Sequence, residues 1–510
     1  MKSKMMIAIG MAVCFVLSCK ADVLETAFAN PPASARPWVY WFALDGNITS
    51  NGITADLESM ARVGIGGVLY METSQGTPKG PVPYASREWY ALMRHACNEA
   101  ARLGLQINMN NDAGWCGSGG PWITPEQSMQ RVVWSETNVT GSAHFDGKLQ
   151  QPPTKRDFYR DIAVLAFRTP TSEKIRMRDA ASKVTVNGRE QDASAVADGQ
   201  ASTAVQLALP TPKEPVFLQF QFAKPFTARL LTLVVPGPFW KNYRGRIEAS
   251  DDGQNFRTVD SFSQEFGDVT RTLTFAPVSA SVFRVYFTDV DPEIKQLKIN
   301  EAEFSARLGI GNLAGKTFVN RDGDYRPDTV TAASAEDLVP GDAIMDLTAR
   351  MKSDPSAGPG PLNHLTWEVP KGDWTILRFG YTTTGSQNAP APDSGRGLEC
   401  DKLSQAAVET HFNNLMGRLV GDNRALSGPG KTLVRTHIDS WEVGSQNWTP
   451  RFREEFRRLR GYNLTRFLPV FSGRIVDSPE ITERFLRDLR QTIADLLTEN
   501  YAGHMQNLAR

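Results

Sequence analysis

The segment from 433 to 447 holds the residues best suited to acid–base chemistry. It reads LVRTHIDSWEVGSQN, so His437, Asp439 and Glu442 follow an apolar strand, with Trp441 between the two acids. Hydrolysis of a glycosidic bond needs one carboxyl group to protonate the leaving oxygen and another to activate water or attack the sugar. Glu442 is a candidate for one of them, because its neighbours can tune its proton affinity. Any strand end can carry Asp and Glu, so an ordinary surface turn is the alternative.

A second segment, 108–122, reads NMNNDAGWCGSGGPW. Asn110 and Asp112 follow an apolar strand, and Trp115 comes next among several glycines. Glycine allows the backbone to pass close to a ligand. An indole beside amide and carboxylate groups suits a polyhydroxylated ligand such as a sugar. The alternative is a glycine-rich connection in which the tryptophans are structural.

A third segment, 382–402, is rich in Gly, Pro and Asn and ends in Glu399, Asp401 and Lys402. Charged groups packed this closely after a strand suit sugar hydroxyls or a hard cation such as Ca²⁺. The alternative is a salt-bridged helix start, because Asp401 and Lys402 immediately precede a predicted helix.

These residues need elements that bring them together. Strands are predicted at 38–43 (WVYWFA), 67–71 and 105–109, and helices with N-terminal caps begin near Ser50 and Ser86. Strand, helix and strand joined by short connections imply a parallel sheet with right-handed crossovers. Reacting groups in such folds lie at the carboxyl ends of the strands. We therefore expect the three segments to meet at one cleft.

The alternation stops after about residue 140. Between 180 and 306, short alternating strands with turn signals such as Asp251-Asp252-Gly253 predict an antiparallel β-sandwich. This region resembles discoidin-type, galactose-binding-like modules. Strand and helix then alternate again, with strands predicted at 374–381 and 433–437. A long amphipathic helix capped by a serine closes the sequence.

The predicted fold class is α/β, a β/α barrel that is incomplete in this chain, with an inserted antiparallel β-sandwich. Roughly five strands of this type are predicted, whereas a closed barrel needs eight. An open parallel sheet is the alternative geometry. The predicted domains are a signal peptide at 1–21, a first part of the barrel at 36–145, the sandwich at 180–306 and the continuation of the barrel at 307–510.

The composition excludes some partners. Lys plus Arg and Asp plus Glu number 56 each, so no basic excess points to nucleic acid.

The N-terminus predicts export, since Lys2 and Lys4 precede an apolar run from 5 to 17. Cys19 follows a lipobox-like VLS, which favours a lipid-anchored periplasmic or surface protein, and cleavage near Ala21 with simple secretion is the alternative.

Several long motifs occur in the order found in one family, the α-L-rhamnosidases of glycoside hydrolase family 106, which this sequence resembles over most of 36–510 outside the sandwich. The motifs are WFALDGNIT (41–49), GITADL (52–57), RVGIGGV (62–68), SGGPWITPE (118–126), GLECDKLS (397–404), DSWEVGSQNWTP (439–450) and RQTIADLLTENY (490–501).

The resemblance implies a β/α barrel with added β-sandwich modules. It also implies removal of terminal L-rhamnose from plant polysaccharides with inversion, by two glutamates, with Ca²⁺ helping to bind the sugar. Glu442 matches one glutamate; the second is expected past the position that corresponds to 510, so we expect a fragment, a truncated product or a degenerate relative.

The predicted catalytic residue is therefore Glu442, and the calcium ligands are unassigned. The predicted partner is a rhamnose-containing carbohydrate. A carbohydrate-binding, catalytically incomplete surface lipoprotein is the alternative function. The predicted substrate-binding residues are Asn110, Asp112, Trp115, Glu399, Asp401, Lys402, His437, Asp439 and Trp441.

Overall fold

The computed structural model describes residues 24–189, 191–199, 202–211, 214, 216–236, 243–264, 270–318, 333–353 and 362–510. The predicted signal peptide and Cys19 lie outside these residues. In the described part of the chain, no helix has both the length and the apolar character needed to cross a bilayer.

The strands and helices follow in chain order. The strands are β1 (Trp38–Leu44), β2 (Gly67–Thr73), β3 (Gln106–Asn110), β4 (Gly119–Gly120), β5 (Gln130–Lys148), β6 (Arg160–Arg168), β7 (Ala181–Val186), β8 (Val205–Leu207), β9 (Val216–Val234), β10 (Tyr243–Ser250), β11 (Arg257–Gln264), β12 (Thr270–Val290), β13 (Leu297–Ile299), β14 (Glu301–Ser305), β15 (Met345–Asp346), β16 (Met351–Ser353), β17 (Leu362–Thr383), β18 (Leu398–Glu399) and β19 (Leu433–His437). The α-helices are α1 (Ser50–Arg62), α2 (Arg87–Leu103), α3 (Met177–Ala180), α4 (Leu313–Lys316), α5 (Gln405–Phe412), α6 (Arg418–Asp422), α7 (Phe452–Arg460), α8 (Pro479–Leu496) and α9 (His504–Leu508).

The parallel sheet that carries the candidate site has the order β1-β2-β3-β19. All three pairings are parallel. The helices between the first strands form where expected, because their ends are capped: Ser86 Oγ accepts the N–H of Trp89 at 3.1 Å, and Gly104 closes α2 with φ 70°. The cap of α1 is Thr49, one residue before the predicted serine.

The two faces of this sheet differ. Trp41 and Tyr70 point towards the helices and contact each other edge to face at 5.3 Å, and Tyr70 lies 6.5 Å from the ring of Trp89. Tyr40 and Phe42 point to the other side and are about half exposed (51% and 47%). Within the described residues the sheet is open, with β1 and β19 at its edges. Closure into a barrel therefore stays a prediction.

One predicted strand belongs to a different sheet. The stretch 374–381 was expected to resume the strand–helix alternation, and it is instead part of β17, which pairs antiparallel with β5 and β6. The expectation was wrong because an apolar, β-branched run fits a parallel or an antiparallel neighbour equally well. This sheet has the order β15-β6-β17-β16, with β5 also paired to β17.

The region between these two halves is antiparallel, as expected. Its larger sheet has the order β11-β10-β12-β9-β14, with β7 also on β9, and β8 pairs separately with β13. The buried side chains of this region form their own core, which includes Leu218, Phe283 and Phe304. The division into a sandwich module and the domain limits stay predictions.

The C-terminal helices join the sheets. Phe456 of α7 and Phe485 of α8 pack against side chains of β6 and β17 in a common core. Beyond α8 the helix continues through a π-helical stretch at Leu497–Gly503, and this stretch places Tyr501 near the parallel sheet.

Candidate active site

The carboxyl ends of β3 and β19 lie side by side. Asn110 and His437 are paired in the parallel register, and the loops beyond them stay in contact. The N–H of Asn111 donates to the carbonyl of His437 at 2.9 Å, and the N–H of Ser440 donates to the carbonyl of Trp115 at 2.8 Å. These backbone bonds bring together two predicted segments that are more than 300 residues apart in sequence.

Glu442 and Trp115 form the exposed part of the site. The indole Nε1–H of Trp115 donates to Oε2 of Glu442 at 3.3 Å. Glu442 is exposed and Trp115 is half-buried. The loop after β3 therefore orients a carboxyl group carried by the loop after β19, and this group remains accessible to a ligand.

His437 offers a hydrogen-bonding nitrogen beside them. Its Nδ1 lies 3.1 Å from Oδ1 of Asn108, so Nδ1 carries the proton and Nε2 is left as an acceptor. Nε2 has no partner among the residues that the structure describes. Burial lowers the pKa of His437, against the opposing charge of Asp439. The ring is therefore neutral near pH 7 and suited to accept a hydrogen bond from a hydroxyl group.

Beneath this surface lies a buried charged cluster. The ammonium of Lys402 lies 2.6 Å from Oε2 of Glu399, which also accepts the N–H of Ser118 at 2.9 Å. Burial alone would lower the pKa of Lys402, but the neighbouring groups, with the Glu399 carboxylate first among them, together outweigh burial and raise the pKa. The rings of Trp441 and Tyr501 lie 5.2 and 5.5 Å from this ammonium.

Gly117 is required by the close approach of Glu399. A Cβ atom on Gly117 would lie 2.4 Å from Oε2 of Glu399, and its φ of 114° is strained for other residues. A glycine is needed at this position of the loop because the backbone packs directly against a buried carboxylate.

Asp401 supports the chain after β19. It accepts hydrogen bonds at 2.6 Å from Gln446 Nε2 and at 2.6 Å from Thr449 Oγ1. Burial raises the pKa of Asp401 to about 6, although these hydrogen bonds oppose the shift. Asp401 therefore anchors the segment that follows Glu442 and does not face solvent.

The predicted site residues thus divide by exposure. Glu442 and Asp439 are exposed, and Trp115, His437 and Trp441 are half-buried. The remaining five are buried, at 2% exposure or less, which favours a supporting role over direct contact with a sugar: Asn110, Asp112, Glu399, Asp401 and Lys402.

Sequence reasoning missed Ser118, His411 and Tyr501. Ser118 Oγ lies 2.5 Å from the hydroxyl of Tyr501, and His411 Nε2 lies 2.8 Å from the carbonyl of Asn111. Burial lowers the pKa of His411 to about 4, so it is neutral. Ser118 lies inside a loop already singled out, whereas nothing in the spacing of Tyr501 links it to a serine 383 residues away.

The residues present do not form a cation site of the usual kind. In the described ranges, no group of three or more His, Cys, Asp or Glu side chains is arranged to hold a metal ion. The carboxylates of Glu399, Glu442 and Asp401 are engaged with Lys402, with Trp115 and with Gln446, and Asp439 alone does not make the set of about six or more oxygen ligands that Ca²⁺ takes. No step of the chemistry is therefore assigned to Ca²⁺.

Glu442 places an exposed carboxyl group at the carboxyl edge of a parallel sheet, where the reacting groups of such folds lie, and this group can serve as one of the two carboxyl groups that a glycoside hydrolase needs. Comparison with known proteins gives the same class. A family model described as alpha-L-rhamnosidase, glycoside hydrolase family 106, matches residues 29–510. The chain belongs to this family.

Two relatives support the assignment. The solved structure of a rhamnosidase from Novosphingobium sp. PP1Y superposes with a TM-score of 0.81 at 32% identity, covering 95% of this chain and 46% of that one. A curated protein of Formosa agariphila, named "Putative beta-glucuronidase", is 32% identical over 492 residues, covering 95% of this chain and 29% of the relative. This chain thus spans less than half the length of either.

Proposed function

We propose that this protein contributes to the hydrolysis of terminal α-L-rhamnosides, with Glu442 as one member of an inverting acid–base pair. The observation that carries the proposal is the exposed Glu442 carboxyl, held by Trp115 where two parallel strands end. Proton transfer to or from a glycosidic oxygen or a water requires a positioned carboxyl group.

An inverting pair holds its carboxyl groups roughly 6.5–9.5 Å apart, which leaves room for a water. Among the other acids predicted at this edge, Asp112, Glu399 and Asp401 are buried and hydrogen-bonded, so they are poorly placed to deliver a proton to a substrate. Asp439 is exposed, but it lies on the same loop as Glu442, only three residues away, and the resemblance gives it no acid–base role. We therefore assign the second carboxyl group to a part of the longer family members that lies outside the region spanned by this chain.

The charges around Glu442 favour a neutral sugar. A uronic acid needs an accessible cation for its carboxylate, but Lys402 is fully buried and paired with Glu399. The guanidinium of Arg435 lies 5.0 Å from the ring of Trp38, the first residue of β1, which is at the amino end of the parallel sheet. Trp115 offers apolar surface that suits the methyl group of a deoxyhexose such as rhamnose. A rhamnoside therefore fits better than a glucuronide.

The test compares two chromogenic substrates, an aryl α-L-rhamnoside and an aryl β-D-glucuronide, with the wild type, Glu442→Gln and the matched control Glu454→Gln. Glu454 is exposed on α7 and outside the site. We expect turnover of the rhamnoside alone, slow in the 510-residue chain, with about 10²–10⁴-fold loss in Glu442→Gln and none in the control. Rhamnoside binding without turnover in every variant would support the carbohydrate-binding alternative. Preference for the glucuronide would refute the substrate assignment.

We further propose that the chain is exported and that Cys19 carries a lipid anchor. The apolar run from 5 to 17 and the VLS-Cys19 sequence support this. Metabolic labelling with palmitate should mark the wild type and leave Cys19→Ala unlabelled. Unlabelled wild-type protein in the soluble periplasm would show simple secretion instead.

A further inference from the structure

Asp112, Glu399 and Lys402 form a buried cluster with an unbalanced charge. The three side chains are at most 2% exposed. Lys402 pairs with Oε2 of Glu399, whereas Oε1 of Glu399 has no hydrogen-bond partner in the described part of the chain. Two carboxylates against one ammonium would leave one uncompensated negative charge in the interior, which is strongly unfavourable.

The two carboxyl groups lie against the same glycine. The N–H of Gly119 donates to Oδ2 of Asp112 at 3.3 Å, and a Cβ atom on Gly119 would lie 2.8 Å from Oε1 of Glu399. Two buried carboxyl groups that flank the same glycine repel each other when both are ionised, which favours a proton on one of them. Burial, and then the charge of Glu399, raise the pKa of Asp112 well above its ordinary value.

We propose that Asp112 keeps its proton and donates it in a hydrogen bond to Oε1 of Glu399, so that Asp112, Glu399 and Lys402 form a neutral triad that positions the loops carrying Trp115 and Trp441. No covalent bond changes, and the proton stays between the two carboxyl groups. The triad exists whether or not the chain acts on rhamnosides, and only its relevance to catalysis rests on the proposed function.

The triad contacts every segment that builds the site. Asp112 lies on the loop that carries Trp115, and Glu399 binds the N–H of Ser118 in the same loop. Lys402 lies beneath the ring of Trp441, which directly precedes Glu442. A change in the charge of the triad would therefore displace both tryptophans.

His411 interacts with Lys402 and is neutral at physiological pH, because burial lowers its pKa to about 4. Four tyrosine and cysteine side chains that face the triad are neutral because burial raises the pKa of each. They are Tyr84, Cys116, Cys400 and Tyr501. Asp401 is held by Gln446 and Thr449, and its carboxylate also interacts with the charge of Lys402. This further negative charge near Lys402 disfavours a second ionised carboxylate in the cluster even more strongly.

The experiment uses the 510-residue protein at pH 7 in deuterated buffer. The infrared difference spectrum between wild type and Asp112→Asn should contain the carbonyl stretching band of a protonated carboxylic acid, present in the wild type alone. Asparagine is neutral and can donate its amide to Glu399, so we expect Asp112→Asn to keep the wild-type urea midpoint and near-ultraviolet circular dichroism of the tryptophans. Asp112→Ala, equally neutral but without the donor, should lower the midpoint and reduce the tryptophan signal.

Glu399→Gln should behave differently from Asp112→Asn, because it leaves the buried Lys402 without a counter-charge. We expect a lower urea midpoint, or failure to fold, and partial recovery in Glu399→Gln/Lys402→Met. Absence of the carboxylic acid band, or equal damage by Asp112→Asn and Asp112→Ala, would overturn the proposal. These readouts need no hydrolysis, so loss of the rhamnosidase assignment would leave them unaffected.

Discussion

The buried carboxyl group of Glu72 is expected to make the stability of the protein depend on pH. Its carboxyl group is 1% exposed at the end of β2 and accepts the indole N–H of Trp89 at 2.5 Å and the hydroxyl of Tyr70 at 3.0 Å. Burial raises the pKa of Glu72 from 4.5 to about 7, although these two hydrogen bonds and one from Gly46 oppose the shift. The folded protein therefore holds a proton that the unfolded chain releases.

The direction and size of the change in stability with pH follow from the difference between the folded and unfolded pKa of Glu72. A raised pKa in the folded state means that stability is fully present below pH 4.5 and is lost as the pH rises to about 7. With about 1.4 kcal/mol for each pH unit between the two pKa values, the loss is about 3 kcal/mol. Glu72→Gln removes this dependence. We expect its stability relative to wild type to be about 3 kcal/mol more favourable at pH 8 than at pH 4.5.

The assay is urea unfolding of both proteins at pH 4.5, 6 and 8, followed by tryptophan fluorescence. His411 makes stability rise with pH, since burial lowers its pKa to about 4. This contribution is the same in the wild type and in Glu72→Gln, so it cancels in the comparison. Glu454→Gln, an exposed control, should show no pH-dependent difference. An equal effect of Glu72→Gln on stability at pH 4.5 and 8 would show that the pKa of Glu72 is not raised in the folded protein.

Two substitutions and one proteolysis experiment test the Trp115 contact, the Gly117 contact and the limits of the antiparallel region. Trp115→Phe removes the N–H donor to Glu442 and should lower kcat for an aryl rhamnoside about tenfold with little change in KM; an unchanged kcat would contradict a role for this bond. Gly117→Ala should destabilise the protein by about 2 kcal/mol or more in urea unfolding, because it combines a strained φ with a clash against Glu399; wild-type stability would contradict that contact. Limited proteolysis should cut near 150–180 and 306–330 and spare the interior of 180–306, and cleavage spread through that interior would count against a separate module.

The local pattern of the sequence predicted the first half of the parallel sheet well. Each strand from Trp38 to Asn110 is followed by a helix or loop with clear end signals, such as Ser86 and Gly104. These signals act within a few residues, so they are visible in the sequence. Pairing partners are not local, and for that reason the stretch 374–381 was assigned to the wrong sheet.

The sequence predicted only part of the candidate site, because the chemical type of a residue is local information and its burial and distant partners are not. The chemical types at the strand ends pointed to Trp115 and Glu442, which the structure joins by a hydrogen bond. Burial was not predictable, because Glu399 and Asp439 look alike in sequence, and one is buried while the other is exposed. The part played by Tyr501 depends on packing between distant helices and had no local signal.

We propose that Glu442 acts in an inverting hydrolysis of α-L-rhamnosides. The most direct measurement follows the first sugar released from an aryl α-L-rhamnoside by proton NMR, for the wild type, Glu442→Gln and Glu454→Gln. We expect the β-anomer of rhamnose to appear first with the wild type and Glu454→Gln, and Glu442→Gln to release almost no rhamnose. Release of the α-anomer first, or full release by Glu442→Gln, would contradict the proposal.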